Sequence, residues 1–261
     1  AGAVDLGEKP AVISAIAKYH MTERARLCVN DAMDIHGGKG ICLGPNNWVG
    51  RGYQVMPVGI TVEGANILTR TLIIFGQGAI RCHPYVLREM RAAKEMTGAA
   101  ASIEFDDAFT SHIGHTVSNG VRAFVHGITS SRLGQVPRDG APETAHYYRF
   151  TSRLAAAFAF LADVSMLAMG GALKRKEKIS GRLGDVLSML YLVSATLKHY
   201  EDQGRRKEDI PLIRWVVRDA LYKAQEAIDA ILSNFPVKSL ATLLRWTIFP
   251  LGMSFRPPLD S

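Results

Sequence analysis

The chain has 261 residues, enough for one large or two small domains, and 48% of them are hydrophobic, which supplies a full core and excludes wholesale disorder. A net charge of +7 suits nucleic acid, a membrane surface or an anionic substrate and selects none of them. Aromatics do not interleave with the basic residues as a base-stacking surface requires, so no nucleic-acid partner is expected.

Cys28, Cys42 and Cys82 cannot form a paired framework; they predict a reducing compartment and buried thiols. The first residue is Ala and no charged-then-apolar signal segment follows it, which predicts a mature or truncated product of cytoplasmic location.

In chain order, Pro10 sits where the first turn of a helix tolerates it. Helical spacing of Val12, Ile13, Ile16, Ala17, Leu27, Cys28, Ala32 and Ile35 then predicts a long helix, ended by Gly37 and Gly38. Pro45, Asn46 and Asn47 restart the chain. A short helix follows through Tyr53 and Met56, and Pro57 with Gly59 is expected to break it. In GITVEGANILTRTLIIFGQGAIR the start reads as strand or helix, but Leu68, Leu72, Ile73, Phe75 and Ile80 fit a buried helix better.

Pro84 marks the expected domain boundary, giving 1–83 and 84–261. PYVLREMRAAKEM reads as an amphipathic helix and FTSHIGHTVSNGVRAFVHGITSSRLG as another. Pro142 and Glu143 open three long helical patterns over about 142–174, 180–202 and 208–234, separated by basic, glycine-containing turns. No strand–helix alternation and no fixed repeat is present, so the fold is read as all-α, a helical bundle of antiparallel helices.

AAAFAFLADVSMLAMGGAL is long enough to raise a membrane span, but Asp163 near its centre and its small residues favour a buried bundle helix. The tail, 236–261, mixes Leu, Trp, Ile, Phe and Met with Lys238, Arg245 and Arg256. It suits either peripheral contact with the inner membrane or packing back on the bundle.

The glycine-rich DIHGGKGICLG at 34–44 matches neither nucleotide fingerprint. From Gly38 the spacing is G-x-G-x-x-x-G, a helix precedes it, and no G-K-[ST] is present. His112 and His115 share a helix face in SHIGH, but no Cys or acidic pair completes a metal site at the usual spacing, so no metal is expected. Glu63 lies in an apolar stretch at a helix start. It reads either as a carboxylate short of water, with a raised pKa suited to a general base, or as a solvent-facing residue favoured by a helix N-terminus.

A long helix ending DIHGGKG, then some two dozen residues, then VEGANILTR, resembles the C-terminal helical domain of the acyl-CoA dehydrogenases, whose segments read like Q-I-x-G-G-x-G and Y-E-G-T-x-x-I-Q-R. From HPYVLREM onward the chain resembles the helical C-terminal extension of the bacterial long-chain enzyme of fatty-acid β-oxidation. The resemblance implies oxidation of an acyl-CoA to the trans-2-enoyl-CoA, with FAD accepting hydride and an electron-transfer flavoprotein taking the electrons. Glu63 becomes the base for the α-proton, and its main-chain N–H one donor to the thioester oxygen. Gly64 gives the substrate close approach, since it has no Cβ. Asp34, Ile35, His36, Gly37 and Gly38 fall on the segment that meets the FAD of a neighbouring subunit, which implies a homo-oligomer. Ala65, Asn66 and Ile67 fall on a second flavin-contacting stretch.

This chain departs from the family pattern with Asp34 for glutamine, Val62 for tyrosine and Ala65 for threonine. The family's N-terminal helical and middle β-domains lie outside these residues, so the resemblance implies a C-terminal fragment, inactive alone. A helical dimerisation or membrane-association module without catalysis of its own is the alternative.

Overall fold

The computed structural model describes residues 2–259, and among them every regular element is a helix. The chain forms two compact units, Ala1–Gln77 and Gly78–Ser261.

The first unit is built on α1 (Ala11–His36), 26 residues, about 39 Å at helical rise. The Pro10 carbonyl accepts the Ser14 amide at 2.9 Å and closes its first turn. Against α1 pack α2 (Val49–Thr61) and a chain of short turns, Asn66–Leu68 then Thr69–Gln77. The unit's small core gathers Ala15, Ile16, Val49, Ile74 and Phe75. Much of its apolar surface stays open, including Met21, Leu27, Ile35 and Trp48.

Three sequence expectations change here. Pro57 does not end α2, which continues to Thr61. The proline is exposed, so the carbonyl it leaves unpaired one turn earlier faces water rather than a core. Thr69–Gln77 is a π-helix, not a regular α-helix. The Thr71 hydroxyl bonds the Ile67 carbonyl at 2.9 Å, competing for the acceptor its amide would use in an α-helix. Its buried side is Thr69, Thr71, Ile74 and Phe75, while Leu72 is exposed. All three cysteines are exposed rather than buried, Cys28 because it lies on a face of α1 that this chain leaves uncovered.

The second unit is a bundle built mainly from α3 (Val86–Glu95), α4 (Gly98–Ile128), α5 (Ala145–Met169), α6 (Glu177–Asp202), α7 (Ile210–Ser233) and α8 (Lys238–Ile248). The α6–α7 hairpin is the most extensive pairing, and α5 packs on α4, α6 and α7. Leu161, Leu183, Val186, Leu197, Val217, Leu221, Ile228 and Ile231 interlock in the core. The segment 142–175 is long and apolar enough to cross a membrane by length and composition alone. Here it packs as a bundle helix, with Asp163 buried in its middle.

The tail packs back on the bundle. Ala241, Leu244, Ile248 and Phe249 are buried, and Arg153, itself buried, donates to Ser254 Oγ at 2.7 Å and the Ile248 carbonyl at 3.2 Å. The Gln225 side chain holds the main chain of Ser254 and Phe255 through three bonds of 2.7–3.1 Å. Leu243, Trp246 and Leu251 remain exposed on the outer side.

Candidate functional site

The glycines at the end of α1 stop the helix and open its end. Gly37 takes φ 52°, a left-handed value that favours glycine, while its amide still bonds the Met33 carbonyl at 2.9 Å. Nothing lies within 4 Å of where a Cβ would stand on Gly37 or Gly38, and both are exposed, so no side chain bars a ligand from close approach there.

A groove of about 680 Å³ runs beside this corner, lined by Asn30, Met33, Asp34, Gly37, Ile41 and Tyr53. Ile35 points away at 82% exposure. The His36 ring is engaged, its Nδ1 at 2.8 Å from the Ala32 carbonyl and its plane perpendicular to that of Trp48. Asn47 locks the turn that follows. Its Nδ2 donates to the Gly40 carbonyl at 2.6 Å, and its Oδ1 accepts the Gly50 amide at 2.7 Å.

Glu63 stands in a second tight turn. Its φ is 52° and that of Gly64 is 91°. A left-handed glutamate is uncommon and must be held by its surroundings. The clamp comes from α1. Lys18 Nζ donates to the Gly64 carbonyl at 2.9 Å and to Asn66 Oδ1 at 2.6 Å. Asn66, 4% exposed, passes the bond on through Nδ2 to Thr22 Oγ1 at 2.9 Å and Glu23 Oε1 at 2.7 Å. Thr69 Oγ1 adds a second bond to the Gly64 carbonyl at 3.1 Å.

The Glu63 side chain is exposed, not short of water within this chain, as are Gly64 and Ile67; Ala65 is half-buried. The Asn66 side-chain amide is spent on the clamp. Lys18, Thr22 and Glu23 escaped sequence reading because they look like ordinary polar positions on a long helix. Their i, i+4 and i+5 spacing was the available signal. Both candidate segments thus hang on α1, but at different levels: Lys18 and Asp34 are about 24 Å apart along its axis.

A second cluster lies in the bundle unit. His83 Nε2 is 3.1 Å from Asp163 Oδ1, and His112 Nε2 is 3.5 Å from the same oxygen. Glu89 Oε1 meets His112 Nδ1 at 2.8 Å, and Thr116 Oγ1 donates to Asp163 Oδ2 at 2.9 Å. Burial opposes charge on Asp163, but His83, Thr116 and His112 outweigh it and hold its carboxyl below the usual range. His115, on the same face of α4 as His112, packs edge-on against His83, and burial lowers its pKa. Sequence spacing joined the two α4 histidines but could not reveal His83 or Asp163, which arrive from other elements.

Two family models cover the chain. "Acyl-CoA dehydrogenase, C-terminal domain" matches residues 1–76, and "Acyl-CoA dehydrogenase, C-terminal, bacterial type" matches residues 80–261. The chain belongs to the acyl-CoA dehydrogenase family. An acyl-CoA dehydrogenase complexed with FAD from Bacillus anthracis has a similar fold, with a TM-score of 0.64 at 13% identity over 95% of this chain. The match spans 37% of that protein's chain, so the acyl-CoA dehydrogenase region in hand corresponds to well under half of that relative. The Glu63 turn and the glycine corner fall in the general C-terminal-domain segment of the family, and the histidine cluster falls in the bacterial-type segment.

Proposed function

We propose that this chain supplies the C-terminal part of an FAD-dependent acyl-CoA dehydrogenase that oxidises acyl-CoA to trans-2-enoyl-CoA in fatty-acid β-oxidation. Glu63 is the base that takes the α-proton. The observation that carries the reading is the clamped left-handed turn, which presents an exposed carboxylate on a backbone fixed by Lys18, Asn66 and Thr69. A base works best when its approach geometry is set before substrate arrives. The Glu63 main-chain N–H meets the charge that grows on the thioester oxygen as the proton leaves. Gly64, exposed and without a Cβ, lets the thioester lie against the turn.

The residues present fit a flavin. The open main chain at Gly37 and Gly38 accepts close approach by a diphosphate, whereas the exposed Asp34 carboxylate beside the groove does not attract one. On this proposal Asp34 to Gly38 run along the cofactor through backbone rather than side chain, with Ala65, Asn66 and Ile67 lining it near the base. When bound, FAD supplies the acceptor for the β-hydrogen as hydride. Acyl-CoA, an electron-transfer flavoprotein and a second copy of the chain are the partners this reading requires.

The test uses the full-length enzyme. Mixing it with acyl-CoA bleaches the flavin absorbance, and Glu63→Gln slows that bleaching by about 10²–10⁴-fold. Bleaching at the wild-type rate contradicts the assignment.

A further inference from the structure

We infer that His83, His112 and Asp163 form a binding site for a divalent first-row transition metal, best suited to Zn²⁺, which staples three elements of the bundle unit. Nothing in the proposed dehydrogenation uses these residues. His83 comes from the turn before α3, His112 from α4 and Asp163 from α5. Their ligand atoms all lie within 4.8 Å of one another. The separations of 3.1 and 3.5 Å from Asp163 Oδ1 to the two Nε2 atoms bracket the edge of a tetrahedron, about 3.3 Å for ligands near 2.0–2.1 Å from the ion.

The polar atoms are orphaned without an ion. Asp163 is 5% exposed, and its Oδ1 has no aligned hydrogen-bond donor. His83 Nε2, buried beside it, has no hydrogen-bond partner either, because the two groups are close but not aligned. Leaving a buried carboxylate oxygen and a ring nitrogen both unmatched is costly, and a cation between them resolves both.

The outer contacts are those of a metal site. Glu89 holds His112 Nδ1 at 2.8 Å, which keeps the proton on that nitrogen and turns the Nε2 lone pair toward Asp163. Thr116 fixes the other Asp163 oxygen. His83 Nδ1 accepts the amides of Tyr85 and Val86 at 3.2 and 3.1 Å, so its Nε2 carries a proton before metal arrives. Binding expels that proton to solvent and leaves His83 as an imidazolate ligand, whose Nδ1 the two amides at the start of α3 stabilise. Two imidazoles and one carboxylate leave the fourth position for water, a donor set that suits Zn²⁺. The His83 imidazolate and the Asp163 carboxylate together match the ion's charge.

The experiment strips the chain with a chelator and titrates it with Co²⁺, reading visible d–d absorption, followed by displacement with Zn²⁺ and elemental analysis. One equivalent of metal is expected, with a higher Tm in Zn²⁺ than in chelator. His112→Gln and Asp163→Asn are expected to abolish uptake. Glu89→Gln, which removes no ligand and little burial, should weaken it by about 10–100-fold. His199→Gln, an exposed histidine on α6, should leave it unchanged. Failure of the wild-type chain to take up Co²⁺ or Zn²⁺ overturns the site, as does uptake that Glu89→Gln and His112→Gln leave unaltered.

Discussion

Lys18 is the residue on which the geometry of the Glu63 turn most depends. A single ammonium group reaches the Ile60 and Gly64 carbonyls and the Asn66 side chain, and so ties both flanks of Glu63 to α1. Replacing it with methionine keeps the stem and removes the donor. Lys18→Met is expected to lower kcat of the full-length enzyme by about tenfold with KM nearly unchanged, since one misplaced contact can cost that much. Equal loss in KM would assign Lys18 to substrate binding instead. Asn66→Ala removes a buried hub and strands three partners. It is expected to destabilise the fold by about 1–3 kcal/mol in chemical denaturation, with no change in the denaturant slope.

At the scale of elements, the end of the chain shows how packing decides what composition leaves open. The segment just after α8 lies close enough to α4 that a Cβ on Gly127 would stand 2.6 Å from Pro250 Cγ. Gly127→Ala is therefore expected to lower stability by about 1–3 kcal/mol, read as a lower Tm. The long helices were legible in sequence because period and terminators agreed: Gly37 ends α1, and Pro142 opens the run into α5. The π-helix at Thr69–Gln77 was not, because threonine and isoleucine at helical spacing do not reveal which carbonyl a hydroxyl will claim. The continuation of α2 through Pro57 depended on the side facing water, which no local pattern encodes. The motif residues of the candidate site were legible through family resemblance. Their support was not, because Lys18 and Asn66 are 48 positions apart in the chain and meet only when α1 and the turn pack.

For the whole molecule, ionisation sets the pH range of the bundle. Burial, then the Glu143 hydrogen bond at 2.8 Å, pushes Tyr200 up to about 12. The unfolded tyrosine loses its proton near 10, so between about 10 and 12 the native state holds the extra proton and stability falls as pH rises. On the acid side burial lowers the pKa of His126 and His146. The unfolded state then binds more protons as pH drops below about 6.5, and stability falls again. A Tm profile across pH should show a plateau between those limits, and Tyr200→Phe should flatten its alkaline shoulder.

The chain carries the base and one glycine corner of a site whose other walls belong, on this reading, to residues outside it. Its purified form alone is expected to show no yellow flavin band. The most direct test of the central claim is turnover of acyl-CoA by the full-length Glu63→Gln enzyme with an artificial electron acceptor. With Glu63 as the base, the rate falls by about 10²–10⁴-fold while the flavin absorbance of the resting enzyme is retained. Near-normal turnover in that variant would contradict the assignment of Glu63.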